Sequence, residues 1–263
     1  MTNANATRIR ASSFSDLLDC AARWEARNLL DMRSPSSGEA TLGTAVHAGA
    51  ALFDKREGTL KDAIDCAREN IIRPREETNW NNADLSKSDA EKMAGVMTAG
   101  YCAEFKDVSW HSVERTFAPL VVSVDDVLIE LTGTTDRIKQ GDDGLLSVGD
   151  LKTGKAVING DGDIDAGQYR IQLGVYELLA ENEGGELMTD TPFIVGIKST
   201  KDRPQIKVAP VYGAKDALLG TEGQPGVLQM AAVMLKSGLF PPNPRSILCS
   251  KKFCPRFDVC GFR

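Results

Sequence analysis

The segment that most restricts the fold is "VLIELTGTTDRIKQGDDGLLSVGDLKT", residues 127–153. Two β-branched, partly alternating stretches flank GDDG, a run of turn-forming residues, so the segment reads as two antiparallel strands and a tight turn. With the turn centred on Asp143, Asp136 of the first strand lies opposite Asp150 of the second. Residues two apart share a strand face, which adds Lys152 to the pair. Opposed side chains in such a pair have Cβ atoms about 4.5–5.5 Å apart. Two carboxylates at that distance repel unless a proton or a cation lies between them. A hard divalent ion such as Mg²⁺ or Mn²⁺ suits an oxygen-rich site of this kind. The same residues also read as a surface hairpin with solvated ion pairs, Asp136–Arg137 and Asp150–Lys152.

The flanks set the fold class. Helical periodicity runs through "SSFSDLLDCAARWEARNLLDM", read as one amphipathic helix, and through "TAVHAGAALFDKREG", which carries His47 after a loop "SPSSGEATLG". It continues through "TLKDAIDCARENII" and "SKSDAEKMAGVMTAGYCAEF". From residue 108 the character changes. "SVERTFAPLVVSV" reads as a strand ahead of the hairpin, and "DAGQYRIQLGVYELLAENEGG" as a helix ended by glycines. "FIVGIKS" and "QIKVAPVY" read as strands and "GVLQMAAVMLKSG" as a last helix. Three antiparallel strands, a helix and a further strand make an α/β sandwich order rather than repeated βαβ units. The chain is therefore expected to be one domain over 1–263. A mainly helical region occupies 1–107, an α/β core 108–240, and a basic, cysteine-rich tail 241–263.

Charge and apolar runs narrow the function. The formal net charge of −6 argues against coating nucleic acid through bulk positive charge, although a metal site can account for several carboxylates. The tail differs from the whole: Arg245, Lys251, Lys252, Arg256 and Arg263 stand against Asp258 alone. No apolar run approaches the roughly 18 residues of a membrane helix, and "MTNANATRIRASSFSD" lacks the apolar core of a signal peptide. A cytoplasmic protein without a membrane partner is expected. Cys66 and Cys102 read as small buried hydrophobes. Cys249, Cys254 and Cys260 crowd into the tail, where in a cytoplasmic protein they suggest metal more than disulfides.

"GTTDRI", "GDLKTGK" and "QLGVY" together resemble the PD-(D/E)XK nuclease superfamily, specifically its RecB-like exonuclease branch. Asp136 matches the branch's first aspartate, Asp150 and Lys152 its D-x-K, and Gln172 and Tyr176 its Q-x-x-x-Y helix. "LGTAVHAGAALF" resembles its histidine-bearing helix. The resemblance implies a restriction-endonuclease-like core with a helical N-terminal elaboration. It implies a cation held by His47, Asp136, Asp150 and the Leu151 carbonyl, which would neutralise charge and acidify a water. Lys152 would position that water, and Gln172 and Tyr176 would contact the DNA backbone or brace the site. Gln168 falls on the same helical face, and Glu114 occupies a position where some relatives carry an acidic residue. His111 reads as structural.

The tail spacing C-x4-C-x5-C leaves a fourth ligand to be found, and Cys20 is the candidate. CRISPR-associated iron–sulfur exonucleases and the AddB nuclease domain are similar. They hold a [4Fe–4S] cluster with one cysteine before the histidine motif and three at the C-terminus. The first spacing here is longer than their common C-x2-C, and Zn²⁺ is the alternative. The implied function is a metal-dependent DNA exonuclease working on single-stranded ends in recombination, repair or phage- or CRISPR-related processing. A helicase or recombination factor would be a separate partner. The competing readings are a non-catalytic DNA-binding module and a cluster-bearing structural subunit.

Overall fold

In the computed structural model, which describes residues 6–80, 85–184 and 191–263, the chain is a mixed α/β structure. Strand β1 (Thr7–Arg10) leads into short helices α1 (Phe14–Asp19) and α2 (Ala21–Asn28). Strand β2 (Ser36–Ser37) precedes α3 (Gly38–Asp54), which is followed by α4 (Leu60–Ile72), strand β3 (Thr78–Asn79) and α5 (Lys87–Phe105). Next come β4 (Ser112–Thr116), β5 (Leu120–Val124), β6 (Val127–Thr132), β7 (Thr134–Gln140) and β8 (Leu146–Gly154). Helix α6 (Arg170–Gly184) crosses to β9 (Phe193–Lys198) and β10 (Ile206–Pro210). Helix α7 (Ala214–Leu219), the two-residue strands β11 (Gly220–Thr221) and β12 (Gln224–Pro225), and α8 (Val227–Ser237) precede the tail. No helix among the described residues is long and apolar enough to cross a membrane.

The central sheet has the order β10-β9-β8-β7-β4, antiparallel except for the parallel β8–β9 pair. That one crossover is made through α6, as a parallel connection requires. Alternation along the strands divides the core between two faces. Ile138, Val148 and Ile194 enter one apolar cluster with Leu173 and Leu179 of α6. Leu151, Val195 and Ile197 enter the other, with Ala45, Val46, Met97 and Tyr101 of α3 and α5. The result is a sheet with helices on both sides, consistent with a restriction-endonuclease-like core. The helices begin where side chains can cap them: Ser37 accepts from the Ala40 amide, and Thr59 and Asp62 form a capping box.

Several local expectations are corrected. The helix expected over residues 12–32 breaks at Cys20, whose backbone is extended (φ −151°, ψ 94°) between α1 and α2. Helix α3 starts at Gly38, inside the expected loop, because Ser37 caps it there. The two long strands expected before the turn are each split: β5 and β6 leave the central sheet and join β1 in a second, three-stranded sheet. The break between β6 and β7 falls at Gly133, where any Cβ would lie 2.7 Å from the Tyr176 ring. The glycine end expected for α6 reaches Gly185, which lies outside the described residues.

Candidate active site

The site grows out of one face of β8. Leu146 and Val148 on that face are buried against α6, and the next two residues on it are Asp150 and Lys152. The β7–β8 register is Gln140↔Leu146 through Arg137↔Gly149, the one expected from a turn at Asp143. The ladder stops one pair short of Asp136 and Asp150. There the Leu151 amide donates to Asp136 Oδ2 at 2.6 Å instead of to a backbone carbonyl. Leu151 therefore touches Asp136 through its amide. On the other side of β7, Glu114 of β4 would be the partner of Asp136, since Val113 pairs with Arg137 and Arg115 with Thr135. Glu114 instead adopts a left-handed backbone (φ 54°), uncommon for a residue with a side chain.

Three groups converge on this gap. A ligand atom each from His47, Glu114 and Asp136 lie within 4.8 Å of one another. His47, reaching in from α3, brings its Nδ1 to 3.3 Å from Asp136 Oδ1. Asp150 sits beside them, 4% exposed, with Oδ2 2.6 Å from Lys152 Nζ and Oδ1 accepting from Gln172 Nε2 at 2.7 Å. The Gln172 amide links the rest: its oxygen accepts from Lys152 Nζ at 2.8 Å and its nitrogen donates to the Tyr176 hydroxyl at 2.8 Å. Tyr169, one turn before Gln172, places its ring centre 5.6 Å from Lys152 Nζ. The sequence pattern pointed to Gln168, but that side chain is exposed and folds back to the Asp165 carbonyl. The cause is the short 3₁₀ turn at Ala166–Tyr169, which precedes α6 and shifts the helical face. His111 lies at the surface and its amide donates to the Ile138 carbonyl.

Burial and charge pull the groups apart. Burial drives the Asp150 carboxyl above the usual carboxylate range and the Asp136 charge adds to it, with Lys152 opposing. Burial pushes Asp136 the same way, but His47, the Leu151 amide and Lys152 together hold it below that range. Burial and Asp136 raise Glu114. His47 and Lys152, each pulled down by burial, are carried above their ordinary values by the neighbouring carboxylates. The cluster thus concentrates negative charge that its own cations only partly offset. Asp150 Oδ2 and Glu114 Oε1 are buried and accept no hydrogen bond of good geometry; each faces a cation instead, Lys152 Nζ at 2.6 Å and Arg137 Nη1 at 3.6 Å. The donor set of imidazole and carboxylates fits a hard divalent metal.

Cys20, Cys249, Cys254 and Cys260 line one cavity with Arg23, Arg256 and Phe257, and the extended backbone at Cys20 is what turns that residue to the tail. Burial raises the Cys254 thiol, with Cys20 and Cys249 adding to the effect. Among the described residues, however, no three of these sulfurs lie within 4.8 Å of one another. Cys102 is buried, which pushes its thiol up to about 12, and Cys66 is half-buried; both lie apart from this cavity.

No curated protein matches the chain. One solved structure, "Crystal structure of SSO0001", is 14% identical and covers 99% of this chain and 88% of that one, with a TM-score of 0.46. A family model described as the PD-(D/E)XK nuclease superfamily matches residues 8–261, a span that holds His47, Glu114, Asp136, Asp150, Lys152 and the helix of Gln172 and Tyr176. The chain belongs to the PD-(D/E)XK nuclease superfamily, whose members are metal-dependent nucleases.

Proposed function

We propose that this chain is a divalent-metal-dependent DNA exonuclease of the RecB-like branch, acting on single-stranded ends in recombination, repair or phage- or CRISPR-related processing. The observation that carries this reading is the convergence of His47, Glu114 and Asp136 beside a buried Asp150–Lys152–Gln172 network. His47, Asp136, Asp150 and the Leu151 carbonyl hold Mg²⁺ or Mn²⁺, and Glu114 joins them. When bound, the ion neutralises phosphate charge and acidifies a water. Lys152, held by Asp150 and Gln172, is aimed by two fixed acceptors and stabilises the negative charge that develops on the phosphate. Gln172 keeps Lys152 and Asp150 in register, and Tyr176 fixes the Gln172 amide. A helicase or recombination factor is a separate partner.

The four cysteines Cys20, Cys249, Cys254 and Cys260 hold a [4Fe–4S] cluster that ties the two ends of the chain together. Their shared cavity supports this reading. The deciding experiment is cleavage of 5′- and 3′-labelled single- and double-stranded DNA with Mg²⁺, Mn²⁺ or EDTA, with Lys152→Ala as control. Metal-dependent cleavage that the variant lacks supports the enzyme, and the label pattern gives polarity. No cleavage by protein that carries its cluster would turn the reading to a non-catalytic DNA-binding or structural subunit.

A further inference from the structure

Beneath the candidate metal site lies a buried cation that the chemistry above does not use. Arg137 follows Asp136 in β7 and points to the opposite face of the sheet, with only 1% of its side chain exposed. Its Nη1 donates to the Asp136 carbonyl at 2.6 Å and lies 3.6 Å from Glu114 Oε1. Its Nε donates to Asp54 Oδ2 at 2.6 Å and lies 3.2 Å from the Tyr101 hydroxyl. The Tyr101 hydroxyl in turn donates to the same Asp54 oxygen at 2.6 Å. Asp136 and Glu114 are reached directly through these contacts, and His47 through Asp54 of its own helix.

Asp136 loses its ladder partner because Glu114 is left-handed, and the Arg137 guanidinium takes up the carbonyl at that gap. The same nitrogen lies beside the Glu114 carboxylate. Asp54 and His47 are both on α3, seven residues and therefore two turns apart, on one side of the helix. A bond from Arg137 to Asp54 thus fixes how far α3 slides and turns, and so where His47 lands.

We propose that Arg137 is the positioning residue of this metal site, setting His47, Glu114 and Asp136 together from one buried guanidinium. This rests on the metal-site reading given under the proposed function. The geometry calls for a rigid fork with separate Nε and Nη donors, which an ammonium does not supply even though it keeps the charge.

The test is Mn²⁺ binding to the metal-free full chain, followed by electron paramagnetic resonance, together with cleavage rate against Mn²⁺ concentration. Arg137→Lys is expected to weaken Mn²⁺ binding on the order of 10–100-fold, as loss of a ligand-orienting partner does. Cleavage at saturating Mn²⁺ should recover to within a few-fold of wild type. Tyr101→Phe, a milder change that loosens Asp54, should weaken binding several-fold and carries the test if Arg137→Lys does not fold. Ile71→Val, in the apolar packing of α4, lowers stability and should leave Mn²⁺ affinity at the wild-type value. Wild-type affinity in folded Arg137→Lys, or in Tyr101→Phe where the lysine variant is unfolded, would overturn the proposal. Wild-type protein that binds no Mn²⁺ would overturn the metal-site reading itself, and this inference with it.

Discussion

The polar network on the β7–β8 hairpin and the cysteine cavity under the tail are assembled on different terms. In the first, each group finds a counterpart: Lys152 has Asp150 and Gln172, Asp136 has His47 and the Leu151 amide, and Gln172 has Tyr176. In the second, four thiols from opposite ends of the chain face one cavity, and the contact to Cys20 Sγ is a single amide, that of Asn243, at 3.3 Å. A network built mostly on two adjacent strands and the helix that follows is positioned by local register. A cavity closed by residues 20 and 249–260 depends on docking of the tail. The first is held by side-chain bonds; in the second, among the described residues, no three sulfurs lie within 4.8 Å of one another.

The sharpest way to break this comparison is to remove the centre of the preorganised network. Asp150→Ala and Lys152→Ala should each lower metal-dependent cleavage by at least ~10²–10³-fold, with the fold retained by circular dichroism. Substantial cleavage in either would mean that the network is structural. At the cavity, Cys20→Ser should lose most of its iron and sulfide after anaerobic reconstitution and melt at lower temperature, whereas Cys66→Ser should retain both. Equal metal content in the two variants would remove Cys20 from the ligand set.

A smaller effect concerns charge. Glu114 has a folded pKa above its unfolded value because burial and Asp136 disfavour its charged form. Its contribution to stability is therefore fully present below the ordinary glutamate range and is lost as pH rises through the folded value. In EDTA at neutral pH, Glu114→Gln should raise Tm and flatten the fall in stability with rising pH; with Mn²⁺ the order should reverse, because wild type gains more from the ion. A Tm ranking that ignores Mn²⁺ would take Glu114 out of the site. The smallest effect is expected at Tyr169. A cation–π contact of about 0.5–1 kcal/mol predicts a loss of roughly 2–5-fold in cleavage for Tyr169→Leu and little change for Tyr169→Phe, measured as kcat at saturating metal.

Different parts of this arrangement were legible in different degrees. The register that sets Asp136 towards Asp150 could be read from a turn composition and a period of two, both local properties, although the ladder itself stops one pair short of them. The helix carrying Gln172 and Tyr176 was equally readable, but Tyr169 was not, because a 3₁₀ turn ahead of α6 changes which side chains face the strand. The break at Cys20 left no trace in the amphipathic pattern, since α1 and α2 both bury apolar residues on either side of it. The splitting of the long strands did have signals, Pro119 and Gly133, yet their meaning came from elsewhere: Gly133 makes room for the Tyr176 ring. The left-handed Glu114 and the Arg137 fork had no sequence signature.

By itself the sequence determined the mixed α/β class, the hairpin register and the row of carboxylate and lysine on one strand face. These follow from alternation and turn chemistry over a few residues. The resemblance named His47 and Glu114 as candidates, but only the tertiary structure decided how α3 carries His47 to Asp136, how Glu114 reaches them, and that Arg137 bonds both the Asp136 carbonyl and Asp54. Those contacts join residues far apart in the chain, and their geometry is settled by how the helices pack on the sheet rather than by any local preference.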